Sequence, residues 1–127
     1  MSQSINLDIA KRIDITCRKG DTFSLEMIIS DADGVGIELS TYEFKMEVRE
    51  TDLASHTILT STNGDFEFDK NANGVEGALT ISATAEVMTV ESGIFVYDIQ
   101  ATKDSVVTTW FYGIFKINED VTIWATT

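Results

Sequence analysis

The chain has one histidine, His56, so a Ser-His-Asp triad, a Cys-His pair or a multi-histidine metal site would each have to run through that imidazole. It sits in a polar run, Asp52-Leu53-Ala54-Ser55-His56, that reads as a surface loop with no partner placed to orient the ring. Carboxylates are plentiful, 21 Asp and Glu in 127 residues. At that density acids meet by chance, and the spacing singles out no pair for acid–base work. A metal-like string is present in Asp69-Lys70-Asn71-Ala72-Asn73-Gly74, which copies the first half of a calcium loop with oxygen donors at positions one, three and five and glycine at six. Position twelve, where a bidentate glutamate should close the loop, is Thr80, and the same residues suit a turn that needs left-handed backbone. Asp31-Ala32-Asp33-Gly34 is a weaker copy. Trp110-Phe111-Tyr112 could be imagined as a sugar platform, but consecutive strand residues point to opposite faces, so at most two share a surface and core filling is the expectation. No glycine-rich phosphate loop precedes a helix. No catalytic, cofactor-binding or metal-binding residue is therefore assigned, and no cofactor is expected.

Composition bounds what the chain can be. A length of 127 residues fits one domain, enough to bury roughly two-thirds of its unfolded surface without a disulfide or metal. Seven Phe, three Tyr and two Trp can fill its core. Nine basic against 21 acidic residues leave a net charge of -12, which repels phosphate backbones and anionic lipid, so nucleic acid and membrane are poor partners. Cys17 is the lone cysteine and reads as a small buried or edge side chain. The first residues have neither a basic start nor an apolar stretch, and no run approaches 18 apolar residues, so neither a signal peptide nor a spanning helix is expected.

The elements follow from period-two alternation. The central expectation is a long antiparallel hairpin over residues 93 to 122. Its first strand puts Phe95, Tyr97, Ile99 and Ala101 on one face and Ile94, Val96, Asp98 and Gln100 on the other. From Val106 to Ile117 both faces are apolar or β-branched, with Val107, Phe111, Phe115 and Ile117 on one and Val106, Trp110, Tyr112 and Ile114 on the other. Such a strand is expected to be covered on both sides. Upstream, strands are expected at about residues 12 to 18, at 21 to 30 with Phe23, Leu25, Met27 and Ile29 inward, and in the alternating run Tyr42, Phe44, Met46, Val48. Ile58 and Leu59 seed a short strand, Asn63-Gly64 signals a type I′ hairpin, and Phe66 and Phe68 return the chain. Residues 69 to 77 read as loop and 78 to 83 as strand. Residues 84 to 91 fit one or two helical turns capped by Thr84. The sum is an all-β, antiparallel sandwich of seven or eight strands with one short helical turn. Residues 1 to 11 and 118 to 127 are candidate docking arms, although the tail from Asn118, with Ile123 and Trp124, is first expected to pack back on the sheet.

Four separated strings together resemble a family of small structural proteins of tailed bacteriophages and prophages. Lys19-Gly20-Asp21-Thr22-Phe23 is similar to the family's Gly-Asp/Ala-Thr-Phe string, and Ile37 to Arg49 to its Asp-Leu-Thr-Gly stretch followed by an alternating strand ending in Val-Arg. Gly93-Ile94-Phe95-Val96-Tyr97-Asp98-Ile99 resembles its Gly-x-Tyr-x-Tyr-Asp-Leu strand, and Gly113 to Thr122 its closing Gly-x-x-x-Val and Val-Thr. Leu39-Ser40-Thr41 lacks the glycine usual there. The resemblance spans about residues 12 to 122. It implies an immunoglobulin-like β-sandwich, made in the bacterial cytoplasm and carried in the virion as a head accessory, capsid-decorating, tail or baseplate subunit. Its partners would be other virion proteins, in multiple copies of a symmetric assembly, with no catalytic residue to carry over. The competing expectation is a glycan- or receptor-binding module of a phage fibre or baseplate, using Trp110 or Trp124 as a stacking residue.

Overall fold

The computed structural model describes residues 10–31, 33–51 and 57–119. The described chain is mostly strand: β1 (Lys11–Arg12), β2 (Ile15–Arg18), β3 (Phe23–Ile28), β4 (Glu43–Arg49), β5 (Thr57–Thr60), β6 (Glu67–Lys70), β7 (Ala78–Ala83), β8 (Gly93–Lys103) and β9 (Val106–Asn118). Short 3-10 turns fill Ser61–Asn63, Ala72–Gly74 and Val87–Thr89. The last falls within the expected 84–91 segment, where the Val87 amide donates to Thr84 Oγ1 at 3.2 Å. The other two turns lie where only loop or hairpin is expected from sequence.

Two sheets form. The larger runs β1-β9-β8-β4-β5, with β2 also on β9, and the smaller runs β3-β7-β6. Inward side chains of both meet in one core. Phe23 of the small sheet lies 5.6 Å, ring to ring, from Phe115 of the large one, and Tyr97 stands edge-on to the same ring at 6.1 Å. Met46, Val48, Leu79, Ile81, Ile99 and Phe115 are fully buried. Burying a side chain of that size stabilises the fold by about 1.5–3 kcal/mol each. The inward set expected on β8, Phe95, Tyr97, Ile99 and Ala101, is buried throughout, and on β4 Met46 and Val48 are buried with Tyr42 and Phe44 half-buried.

Four expectations need correction. First, the sheets are not wholly antiparallel. β1 and β2 run parallel to β9, with Lys11 opposite Phe111 and Ile15 opposite Phe115. The strand expected at 12 to 18 is one strand broken at Ile13 and Asp14. There the Ile13 amide donates to Tyr112 O at 2.9 Å, the Tyr97 hydroxyl donates to Ile13 O, and the Ile114 amide donates to Asp14 Oδ1 at 3.0 Å instead of to a backbone carbonyl. Gly113 lies under this kink, where a Cβ would meet the Ile13 carbonyl. Lys11 and Asn118 therefore belong to strands, while 1–9 and 120–127 of the expected arms lie outside the described residues.

Second, Asn63-Gly64 is no type I′ hairpin. Only Gly64 has positive φ, and β5 and β6 belong to different sheets. Side chains win the competition for this backbone. Thr60 Oγ1 accepts from the Thr62 amide, Asp65 Oδ2 accepts from the Thr60 amide at 2.9 Å, and Ser61 Oγ accepts from the Met46 amide at 3.0 Å. The segment crosses between sheets. The two-residue type I′ geometry appears instead at Asp104-Ser105, both with positive φ, in the β8–β9 hairpin.

Third, β9 is not covered on both sides, since Val106 and Val107 are 63% and 59% exposed. Fourth, the expected faces of β9 fail at Trp110. Ile99 pairs with Phe111 but Gln100 pairs with Thr109, so Trp110 is the extra residue of a β-bulge. The bulge turns it inward beside Phe111. Its ring packs edge-on at 4.9 Å from Tyr42 and 5.6 Å from Phe44, and Phe44 in turn contacts Phe68 of the other sheet at 5.8 Å.

Candidate functional site

The most chemically loaded place among the described residues is the outer face of β4 and β8. Alternation points Lys45, Glu47 and Arg49 outward from β4 and Val96, Asp98 and Gln100 outward from β8. Antiparallel register sets Glu47 directly opposite Asp98, Lys45 opposite Gln100 and Arg49 opposite Val96. They line a dent of about 150 Å³.

The two carboxylates differ in environment. Arg49 donates to Glu47 Oε1 at 2.7 Å, Lys45 lies 3.5 Å from Oε2, and the buried Thr60 hydroxyl donates to Oε2 at 3.2 Å. The Arg49 hydrogen bond, with help from Lys45 and Thr60 and against some burial, holds Glu47 below the usual range. Asp98 goes the other way. Burial pushes its carboxyl up and the Glu47 charge adds to that, while Arg49 and Lys45 pull it partly back. Two acids with split proton affinities are the pattern of acid–base pairs. Here, however, the dent is smaller than the roughly 300–1,000 Å³ of small-molecule sites.

The residues singled out by sequence do not converge on this place. His56 and Trp124 lie outside the described residues. Asp69 sits on β6 opposite Thr80, whereas Asn71 is turned to the backbone: its Oδ1 accepts from the Leu39 and Gly77 amides at 3.3 Å each, and its Nδ2 donates to Glu38. Asn71 and Asn73 have φ of 55° and 58°, so their identity follows from a left-handed turn. Among the described residues no three His, Cys, Asp or Glu side chains cluster to hold a metal. Asp31 Oδ1 accepts from the Asp33 and Val35 amides, which makes its string a turn as well. Cys17 is half-buried on β2, its Sγ donating to Lys116 O at 3.6 Å, and burial pushes the thiol up to about 11, away from nucleophilic use.

No family model matches the chain, and no curated protein matches it either. Among the described residues no helix is long and apolar enough to cross a membrane. Sequence reasoning missed the Glu47–Asp98 pair because 50 intervening residues separate the two. The signal was present only as two outward acids on two alternating strands, and the register that joins them is a tertiary fact.

Proposed function

We propose that the chain is a non-enzymatic structural subunit of a tailed-bacteriophage virion, a head accessory, capsid-decorating, tail or baseplate component that works through protein–protein contacts. The observation that carries this reading is the strand order. A β3-β7-β6 sheet faces a sheet containing β4-β8-β9 with β5 outside β4, which matches the B-E-D and C-F-G arrangement of an immunoglobulin-like sandwich with an added C′ strand. That order supports the immunoglobulin-like fold that the four strings of sequence resemblance imply. The chain lacks the inter-sheet disulfide of antibody domains, having one cysteine, and relies on packing of Phe23, Tyr97 and Phe115.

Surface character agrees. The dominant feature is negative charge, -12 over the chain, which suits the outside of a DNA-filled particle. Exposed apolar side chains, Ile28, Val35, Val75, Ile94, Val106, Val107 and Tyr112, offer apolar surface for contacts with neighbouring subunits. A glycan-binding role gains no support from Trp110, whose ring is taken up by Tyr42 and Phe44. The test is mass spectrometry and immunogold labelling of purified particles from the host that encodes the chain. Expected is a fixed copy number per particle with surface labelling. Absence from particles overturns the reading.

A further inference from the structure

Alternation on β3 sends Met27 inward and Ile28 outward, opposite Ala78 on β7. Ile28 is 65% exposed, though the strand is otherwise guarded on that face by Ser24 and Glu26. The 72–77 turn rises beside it, and Ile28, Ala72, Val75 and Ala78, with Glu26, Asn73 and Thr80 among them, line a groove of about 420 Å³, within the size range of small-molecule sites. Val75 is 51% exposed, and Val35 extends the apolar area at the same end, since Gly36 packs on the Glu76–Gly77 backbone. An isolated exposed valine needs no explanation, but a groove lined by several apolar side chains in a chain this acidic does.

The chain itself supplies an occupant. Beyond Glu119 the sequence runs Asp120-Val121-Thr122-Ile123-Trp124, an apolar segment with a tryptophan, the residue type most often central to an interface. This segment starts at the wrong end of the molecule to fill its own groove. Phe23 contacts Phe115, so those two mark one level. The Lys19 amide donates to Asn118 O, so β3 starts beside the Asn118 end of β9 and runs away from it. Ile28 lies five strand steps from Phe23 in that direction, and Glu119 lies four steps from Phe115 in the other. At about 3.3 Å per step the groove is roughly 30 Å from Glu119, whereas the five residues to Trp124 span at most about 17 Å fully extended.

We propose that the groove over Ile28, Val75 and Ala78 receives residues 121–124 of a second copy of this chain, in a head-to-tail contact. Each copy then presents a groove at one end and an apolar segment at the other, so the contact is heterologous and builds rings or filaments instead of closing at a dimer. Two surfaces of like charge repel, so association strengthens with salt, opposite to a charge-driven complex. The inference rests on the reading of the chain as a contact-making subunit, and its test needs no particle.

Sedimentation velocity of the full chain, across concentration and from 0.05 to about 1 M NaCl, should show a series of oligomers favoured by salt. Ile28→Asp and Trp124→Ala should each weaken association by about 30-fold or more while leaving the circular dichroism spectrum unchanged. The decisive step is mixing. Ile28→Asp retains the tail and Trp124→Ala retains the groove, so the mixture should form a dimer that stops there, although neither variant associates alone. Val75→Asp should behave as Ile28→Asp does. A wild-type chain that stays monomeric at high salt, a mixture that fails to complement, or a Trp124→Ala chain that unfolds, which would make Trp124 a core residue, each overturns the proposal. A chain that oligomerises this way yet is absent from particles would sink the virion reading alone, and one found in particles with a wild-type amount of Ile28→Asp would sink this inference alone.

Discussion

Replacing Gly113 by alanine tests the kink that joins the first strand to the last. A Cβ at 113 would lie 2.8 Å from Asp14 Oδ1 and press on the Ile13 carbonyl. Neither neighbour is free to retreat. Ile13 is held through its amide by Tyr112 O and through its carbonyl by the Tyr97 hydroxyl, and Asp14 Oδ1 accepts from the Ile114 amide and from Arg12 Nε at 3.1 Å. Inserting a methyl group against fixed backbone costs about 1–3 kcal/mol. Displacing the kink also loses hydrogen bonds worth about 1 kcal/mol each. The expected loss is about 2–4 kcal/mol, read as a shifted urea midpoint by tryptophan fluorescence and as a melting temperature lower by roughly 10 °C. Hydrogen exchange should accelerate first at residues 15–18. Gly64→Ala is the control, because its Cβ meets nothing within 4 Å and only the left-handed backbone, φ 81°, costs about 1–2 kcal/mol. Tyr97→Phe should cost about 1 kcal/mol in the native background and close to nothing in Gly113→Ala, where its partner has already moved. A Gly113→Ala chain within about 0.5 kcal/mol of wild type, or full additivity with Tyr97→Phe, would refute the reasoning.

Other expectations concern titration and turns. Asp98 has its folded pKa raised, so its contribution is intact below its unfolded value near pH 4 and is lost as pH rises through the folded value; Asp98→Asn should therefore be more stable than wild type at pH 7, by under about 1 kcal/mol, with the gap closing below about pH 3 in thermal melts. Glu47 has its folded pKa lowered, so Glu47→Gln should show the reverse, a deficit at pH 7 that disappears on acidification. Burial pushes the Tyr97 hydroxyl up to about 12, so stability should fall as pH rises from about 10 towards 12, and Tyr97→Phe should flatten that limb. Asn71→Ala removes the acceptor for the Leu39 and Gly77 amides and puts alanine at φ 55°, and should cost about 3 kcal/mol by chemical denaturation. Cys17 should react with iodoacetamide at pH 8 at least about 100-fold more slowly in the folded chain than in urea.

Much of this fold is written locally. Phe95, Tyr97, Ile99 and Ala101, or Met46 and Val48, alternate because one face of each strand meets the core, and a period of two reports that fact without knowledge of the partner. What alternation cannot report is which strand lies alongside. Nothing in Ile15 to Arg18 states that its neighbour is Phe115 to Asn118 or that the two run the same way. Alternation puts Trp110 on the wrong face because a bulge adds one residue to one strand only, visible in the pairing of Ile99 and Gln100 and not in the sequence of β9. At Asn63-Gly64 a strong local preference lost to side chains three and two residues away, Thr60 and Ser61. The carboxylate pair shares the same limit. Glu47 and Asp98 were each legible as outward acids, and only the register made them neighbours.

The parallel seam of β1 and β2 against β9 has a mechanical corollary. The chain enters this seam at one end of the molecule and leaves it at the other, so a force that draws the two termini apart slides the strands lengthwise past each other. Every hydrogen bond along the seam then carries load at once, where a hairpin pulled open from its mouth would break them singly. The same seam makes β1 and β2 wait for β9, so it closes only after the strands between them have been synthesised.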